Sequence, residues 1–201
     1  MSNRIDSLVR KETHEFFRNH KSWLMVCVGV GFVYIVHIAR DDYRPFLDFI
    51  VSVAIMMSVG QYVFDSFESD ISFKGALFLH NIGVKPIELF TAKAMLAMVI
   101  TTVMLAASLP AVTGKLFLAD ILWIYPLTVF SASVMQISAV FSRGAEITSS
   151  IIALIGILLV LAAVFAIDHI ILKSLVAFGV MTVAVLVCLW TMSSLAYRTQ
   201  L

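Results

Sequence analysis

The sequence is poor in charged residues and in cysteine, and each shortage excludes a class of protein. Only 13% of the 201 residues are charged and 61% are hydrophobic, whereas about half of a soluble domain is apolar. The net charge of +1 gives no electrostatic reason to expect a nucleic-acid partner. The two cysteines, Cys27 and Cys188, lie inside apolar stretches. We therefore expect them to be packing residues, with neither a disulfide framework nor a zinc site.

Motifs for autonomous catalysis are also missing. No G-x-x-x-x-G-K-[ST] phosphate loop occurs, because the one Gly-Lys pair, Gly114-Lys115, has no upstream glycine at that spacing. The histidines never fall at H-x-x-x-H or H-E-x-x-H spacing, which is the pattern of a metal hydrolase. We therefore expect no enzyme activity, and no metal or cofactor bound by this chain itself.

Six long apolar stretches make up most of what is present. They predict membrane-crossing helices, because about 20 apolar residues span a bilayer. Several stretches are apolar on every face, unlike the alternating strands of a barrel. The predicted spans are residues 23–39, 46–64, 90–109, 121–141, 147–167 and 175–195. The expected fold is all-α and integral to the membrane, with residues 22–201 forming one six-helix transmembrane domain.

Lysine and arginine are distributed unevenly between the two predicted sides. The side of the N-terminus has ten: Arg4, Arg10, Lys11, Arg18, Lys21, Lys74, Lys85, Lys93, Arg143 and Arg198. The other side has four: Arg40, Arg44, Lys115 and Lys173. The positive-inside rule then places both termini in the cytoplasm. Because a lysine at mid-bilayer costs roughly 2.5 to 3.5 kcal/mol, we expect Lys93 at the inner interface, where its side chain can snorkel.

The N-terminal segment, residues 1–21, is predicted to be a cytoplasmic amphipathic leader helix. Its apolar stripe, expected to lie on the inner leaflet, contains Ile5, Leu8, Val9, Phe16 and Phe17. The charged residues predicted to point away from that stripe are Arg10, Lys11, Glu12 and Arg18. The alternative is a solvated leader that only supplies orientation charges.

A second cytoplasmic segment, residues 65–88, separates the second and third spans. Aromatic and aliphatic residues alternate there with charges and with Gly75 and Gly83. This composition predicts one or two short helices held at the membrane surface.

Polar residues inside a span are most frequent in the fourth one. A stripe of hydroxyl residues, Thr128, Ser131, Ser138 and Ser142, is best explained by close helix packing. Gln136 lies near mid-span, and an amide facing lipid is costly, so it needs a partner helix, a second protomer or a polar pathway. Packing and pathway both stay open for Gln136. The candidate pathway or interhelix residues are Thr128, Ser131, Gln136 and Glu146.

The segment FESDISFKGALFLHNIGVKPIELFTAKAML, between the second and third spans, resembles the membrane subunits of type-2 ABC exporters. In that family an acidic residue precedes a glycine, an apolar helical turn, a proline and a lysine that opens the third span. The residues in that order here are Glu68, Gly75, Leu77, Pro86 and Lys93. The predicted layout of six spans behind an amphipathic leader is similar as well.

The resemblance implies a permease subunit in the bacterial cytoplasmic membrane that pairs with a second permease, identical or homologous. Two copies of a separate ATPase, which hold ATP and Mg, would drive it through a coupling helix within residues 65–88. The residues assigned to this ATPase-coupling interface are Glu68, Phe73, Gly75, Leu77, Phe78, Pro86 and Lys93. The competing function is an ATPase-independent small secondary transporter or a structural membrane subunit of an assembly complex.

Overall fold

The computed structural model describes residues 2–39, 44–71, 83–108, 118–141 and 146–198. Within those ranges every regular element is an α-helix. The helices are α1 (Ser2–Arg18), α2 (His20–Ala39), α3 (Arg44–Ile71), α4 (Pro86–Ser108), α5 (Leu118–Phe141), α6 (Glu146–Phe165) and α7 (Ile170–Arg198). The all-α class predicted from the sequence is confirmed for the described residues.

Four of these helices are long and apolar enough to cross a membrane. Their apolar windows are Phe49–Phe67 in α3, Ile87–Ser108 in α4, Trp123–Val140 in α5 and Ile170–Ser193 in α7. Helices α2 and α6 contain shorter apolar stretches, Trp23–Ile35 and Ile151–Phe165. The fold is that of a helical, membrane-embedded protein, and six full crossings stay a prediction.

Helix α5 lies at the centre of the bundle. It packs against α3, α4, α6 and α7, and 83% of its apolar window is buried. Helix α7 lies at the periphery, because only 11% of its apolar window is buried. A helix that is apolar all round yet exposed on most of its surface has lipid as its natural solvent.

Small residues let the helices around α5 approach closely. A Cβ atom added at Gly60 of α3 would lie 3.3 Å from the Met135 side chain and 3.4 Å from the Ser131 hydroxyl oxygen. That hydroxyl donates a hydrogen bond of 3.2 Å to the Met56 carbonyl on α3. Small and hydroxyl residues at helix contacts are typical of membrane bundles.

Two helix boundaries differ from the sequence prediction. Helix α3 continues to Ile71, so residues 65–71 are its last turns and not part of a separate surface helix. Helix α7 begins at Ile170, so Lys173 lies in its first turns and not in a connection. Helices extend past their apolar stretches when packing holds the added turns, and both extensions carry side chains that contact neighbouring helices.

Replacing Gly60 with valine tests the close contact between α3 and α5. Because the Cβ atom alone already meets Met135 at 3.3 Å, the two added methyl groups overpack the contact, and we expect a loss of roughly 1 to 3 kcal/mol. Reversible unfolding in mixed micelles measures the change. Gly179→Val is the matched control, since nothing lies within 4 Å of a Cβ atom there, and equal losses in both variants would contradict the prediction.

Candidate functional site

The start of α4 is fixed by local hydrogen bonds, and this determines where Lys93 lies. Gly83 adopts a φ of 65°, a left-handed conformation that favours glycine. Pro86 is the first residue of α4, a position that suits proline. The Glu88 carboxylate accepts a 3.0 Å hydrogen bond from the Lys85 backbone N–H, which caps the helix. Lys93 follows two turns later, on a buried face of α4.

Helix α1 packs mainly on α4, and it reaches α3 through two stripes of side chains spaced four residues apart. On α1 the buried side chains are Leu8, Glu12 and Phe16. On α3 they are Tyr62, Ser66 and Asp70. The Phe16 and Tyr62 rings pack edge to face, with centroids 5.4 Å apart. Because positions four apart share one helix face, each stripe presents a continuous surface to the other helix.

Glu12 and Lys93 form a fully buried ion pair at the centre of this contact. The Lys93 ammonium lies 3.0 Å from both carboxylate oxygens of Glu12. The hydroxyls of Tyr62 and Ser66 donate hydrogen bonds of 2.7 and 2.6 Å to Oε2 of Glu12. Ser66 in turn accepts a hydrogen bond from Lys93. The Glu12 carboxylate therefore has three donors from two other helices.

Asp70 extends the contact with a second pair of charges. One of its carboxylate oxygens lies 2.8 Å from the Lys93 ammonium, and the other accepts a 2.6 Å hydrogen bond from Lys11. We refer to Lys11, Glu12, Tyr62, Ser66, Asp70 and Lys93 as the ionic cluster. Its two carboxylates and two ammonium groups balance in charge, and Lys11 also lies 3.5 Å from the partly exposed carboxylate of Glu15. Buried charges are tolerated when they are paired, and the Asp70 oxygen that faces Lys93 depends on that ion pair, since it has no hydrogen-bond partner among the described residues.

The surroundings shift the pKa values of the α1 members of this contact. Burial by itself would raise the pKa of Glu12, but the Lys93 charge and the hydrogen bonds from Ser66 and Tyr62 outweigh it and lower that pKa. Burial would lower the pKa of Lys11, and the neighbouring Asp70 carboxylate outweighs it and raises that pKa. Both shifts favour the charged forms. For the partly exposed Glu15, burial dominates and raises the pKa.

These contacts correct two sequence predictions. Glu12 was expected to point away from the apolar stripe of the leader, yet it is fully buried. Lys93 was expected to snorkel to the interface, yet its side chain is fully buried among carboxylates. The physical reason is the same in both cases. Each charged group is stabilised by the other, which neither segment reveals alone.

The structure places the remaining candidates of the coupling interface as follows. Glu68 lies in α3 and Pro86 begins α4. Phe73, Gly75, Leu77 and Phe78 lie outside the described residues. Among the assigned coupling residues, Lys93 alone has described side-chain contacts, and these belong to the ionic cluster.

The candidate pathway residues lie mostly at helix contacts. The Thr101 hydroxyl on α4 donates to Thr128 at 3.3 Å, and Ser131 donates to α3 as described above. Gln136 is fully buried, and its amide oxygen accepts a 3.4 Å hydrogen bond from the Cys188 thiol of α7. Glu146 is the first residue of α6. A partner helix is thus present at Gln136, and a pathway role stays a prediction.

Sequence reasoning missed Asp70 and Ser66 as partners of Lys93, and Tyr62 as a partner of Glu12. A signal was available, because a lysine within an apolar span requires an acidic partner. The stripe of Leu8, Glu12 and Phe16 at intervals of four also places Glu12 on the apolar face of α1. The pairing itself depends on contacts 81 residues apart in the chain, which no local pattern encodes.

The arrangement is suited to holding helices together. Among the residues that the structure describes, no group of three or more His, Cys, Asp or Glu side chains is placed to bind a metal ion. What the ionic cluster does offer is a neutral, hydrogen-bonded link from α1 to the end of α3 and the start of α4. Such a link resists separation of those three segments, because separating them would strand charges in an apolar surrounding.

Replacing Glu12 with glutamine tests the strength of this link. The variant leaves Lys93 with one carboxylate and removes an anion from a fully buried site, and we expect a loss of roughly 3 to 5 kcal/mol. Reversible unfolding in mixed micelles measures this loss in the free energy of unfolding. Asp6→Asn on the same helix is the control, because its side chain is 61% exposed and pairs with the exposed Arg10, and surface changes stay within about 0.5 kcal/mol. Equal effects of the two variants would contradict the assignment.

The lowered pKa of Glu12 predicts a specific acid sensitivity. A carboxylate whose pKa falls on folding contributes stability above its ordinary pKa of 4.5, and this contribution disappears as the pH falls through the folded value. The stability difference between the wild type and Glu12→Gln should therefore be constant near neutral pH and shrink in acid below about pH 4.5. Unfolding midpoints of both proteins from pH 3 to 7 measure it. A difference that is independent of pH would refute the role of the charged form.

Comparisons with known proteins identify no relative of this chain. No protein-family model, no curated protein and no solved structure matches the chain. The function is therefore inferred from the residues themselves.

Proposed function

We propose that this chain is the membrane (permease) subunit of an ATP-driven exporter, paired with a second permease and driven by separate ATPase subunits. In this proposal the six apolar stretches all cross the bacterial cytoplasmic membrane, with both termini in the cytoplasm. The resemblance of the segment from Glu68 to Lys93 to type-2 ABC exporters motivates the proposal. The ionic cluster is the observation that supports it most.

The support lies in what the cluster joins. Residues 72–85 connect the end of α3 to the start of α4, and this connection contains Phe73 and Leu77, the proposed contacts with an ATPase. Asp70 precedes the connection and Lys93 follows it, and both lie in ion-pair contact with α1. A push on the connection would therefore reach α1, α3 and α4 together. Helices that are held together by ion pairs shift as one unit. A movement of the ATPase could therefore be passed from the connection to the bundle.

Energy would enter from outside the chain. The sequence lacks a phosphate loop, so ATP and Mg would be held by the partner. Closure of the two ATPase subunits would move the connection, and the bundle would alternate between inward-open and outward-open states. The substrate would pass between the two permease subunits.

A second candidate is a secondary transporter that needs no ATPase. Its support is the buried set of ionisable groups around Lys93, since charged residues within membrane helices often form proton or ion relays. In that case the ion pairs around Lys93 would open and re-form during transport and would not serve as a permanent link.

Alanine at both Phe73 and Leu77 tests the proposal. We expect the tagged wild-type chain, isolated in mild detergent from its native cells, to bring down a soluble ATPase subunit with phosphate-loop motifs. The double variant should bring down about tenfold less of the ATPase subunit, because large apolar side chains contribute most of the binding energy of such contacts. Phe178→Ala is the control, since that ring is exposed on α7, far along the chain from the connection.

The outcomes separate the candidates. Recovery of the ATPase by the wild type and its loss in the double variant support the exporter. Recovery of the wild-type chain alone, without ATP hydrolysis in the eluate, would refute it. Transport that continues in ATP-depleted vesicles and stops with a protonophore would establish the secondary transporter.

A further inference from the structure

One face of α1 is buried at the ionic cluster, and the opposite face is exposed. The buried positions are Leu8, Glu12 and Phe16. Positions two residues further along lie about 200° around the helix and therefore point the opposite way. They are occupied by Arg10, His14 and Arg18, and all three are exposed.

An aromatic ring lies on the same exposed face. Phe17 follows Arg10 by seven residues, a spacing that places two side chains on one side of a helix. Its side chain is 68% exposed, and that of Arg10 is 80% exposed. We refer to Arg10, His14, Phe17 and Arg18 as the outer face of α1. It combines basic groups with an exposed ring, and it is separate from the ionic cluster.

The outer face is basic because most acidic residues of the leader are engaged elsewhere. Glu12 is buried against Lys93, and the Glu15 carboxylate lies 3.5 Å from Lys11. Asp6 is the one other acidic residue in the first 21, and it pairs with Arg10 at 3.2 Å. The basic residues that stand against Asp6 outside the ionic cluster are Arg4, Arg10, Arg18 and Lys21. This part of the leader therefore attracts anions.

The outer face also lies close to the point where the chain enters its first apolar stretch. Helix α1 ends at Arg18, α2 begins at His20, and the apolar stretch of α2 starts at Trp23. Five helical residues rise about 8 Å, so Phe17 and Arg18 lie at headgroup depth when that stretch is in the bilayer. Trp23 is 40% exposed, and its indole N–H donates a 3.3 Å hydrogen bond to His20. Tryptophan is typical of membrane surfaces.

We propose that the outer face of α1 binds the anionic headgroups of membrane phospholipids. The guanidinium groups of Arg10 and Arg18 donate hydrogen bonds to the headgroup phosphates, and the Phe17 ring enters the layer where headgroups meet acyl chains. The exposed ring and the nearby apolar stretch favour a lipid surface over an acidic protein. This interaction is independent of the proposed exporter function. It holds α1 from the side that the ionic cluster leaves free.

The test uses the delipidated full chain in a neutral detergent and two lipids that differ in net charge. Dioleoylphosphatidylglycerol is anionic, and dioleoylphosphatidylcholine has the same chains and a phosphate but no net charge. Native mass spectrometry gives the ratio of their dissociation constants for the first lipid bound. We expect the wild type to prefer the anionic lipid. Arg18→Gln should lower this preference about fivefold, the factor for one basic residue beside an anionic lipid surface.

Two further variants and a control sharpen the test. Arg18→Lys should keep the preference, because the charge stays. Asp6→Asn should increase it, because this variant removes the carboxylate that pairs with Arg10. Lys85→Gln is the matched control, since it removes one exposed positive charge before α4 and outside α1, and it should leave the preference unchanged.

Each other outcome overturns the proposal. Equal binding of the two lipids by the wild type would show that headgroup charge is not recognised. Equal losses in Arg18→Gln and Lys85→Gln would show an effect of net charge and not of this face. An unchanged lipid preference in Arg18→Gln, together with loss of a co-purifying ATPase subunit, would assign the face to a protein. Displacement of the lipid by millimolar glycerol phosphate would show a site for a soluble anion.

The wild type supplies a readout that does not depend on folding of the variants. Its preference for the anionic lipid should fall as the salt concentration rises, because salt screens charges that are exposed to water. Binding of the zwitterionic lipid should change little. A preference that is independent of salt would refute the proposal even if Arg18→Gln failed to fold.

Discussion

The buried charge of Lys93 is the constraint that determines how α1, α3 and α4 pack at the ionic cluster. A lysine on the buried face of an apolar helix is tolerated only with anionic partners and hydrogen bonds. Glu12 and Asp70 supply the anions. Ser66 accepts a hydrogen bond from the ammonium, and Tyr62 and Ser66 donate to the Glu12 carboxylate. Three features of the fold bring partners to the Lys93 ammonium. They are the docking of α1, the extension of α3 beyond its apolar stretch and the capped start of α4.

Different interactions stabilise the two ends of the bundle. At one end, the charges of Glu12, Asp70, Lys11 and Lys93 cancel, with Glu12 and Lys93 fully buried and Lys11 partly exposed. At the other, the ammonium of Lys173 lies over the rings of Trp123 and Phe165. Helix α5 connects the ends as the buried centre, with close contacts to α3 through Gly60 and Ser131. The first end is therefore held by paired charges and the second by ring contacts.

Much of the fold could be predicted from the sequence, because membrane helices are encoded by long apolar stretches. The leader helix and the helices at the six stretches follow from local patterns. The start of α4 at Pro86 does not, because Pro86 was assigned to the coupling segment and the third span was predicted from residue 90. The last turns of α3 and the first turn of α7 were not predicted, because packing extends both helices past their apolar residues. The candidate site was predicted least well. Lys93 was named without its partners, because a buried ion pair is a property of two segments that are distant in the chain, and neither segment identifies the other.

The distance along the chain between Glu12 and Lys93 has a consequence for biogenesis. The ribosome makes Glu12 81 residues before Lys93, which at cellular rates is an interval of about 4 to 16 s. Throughout that time Leu8 and Phe16 have no α4 to dock against, and Glu12 has only the Lys11 ammonium at 3.6 Å and not that of Lys93. Docking of the leader therefore follows the synthesis of α4, and it marks the moment at which that helix has joined the bundle.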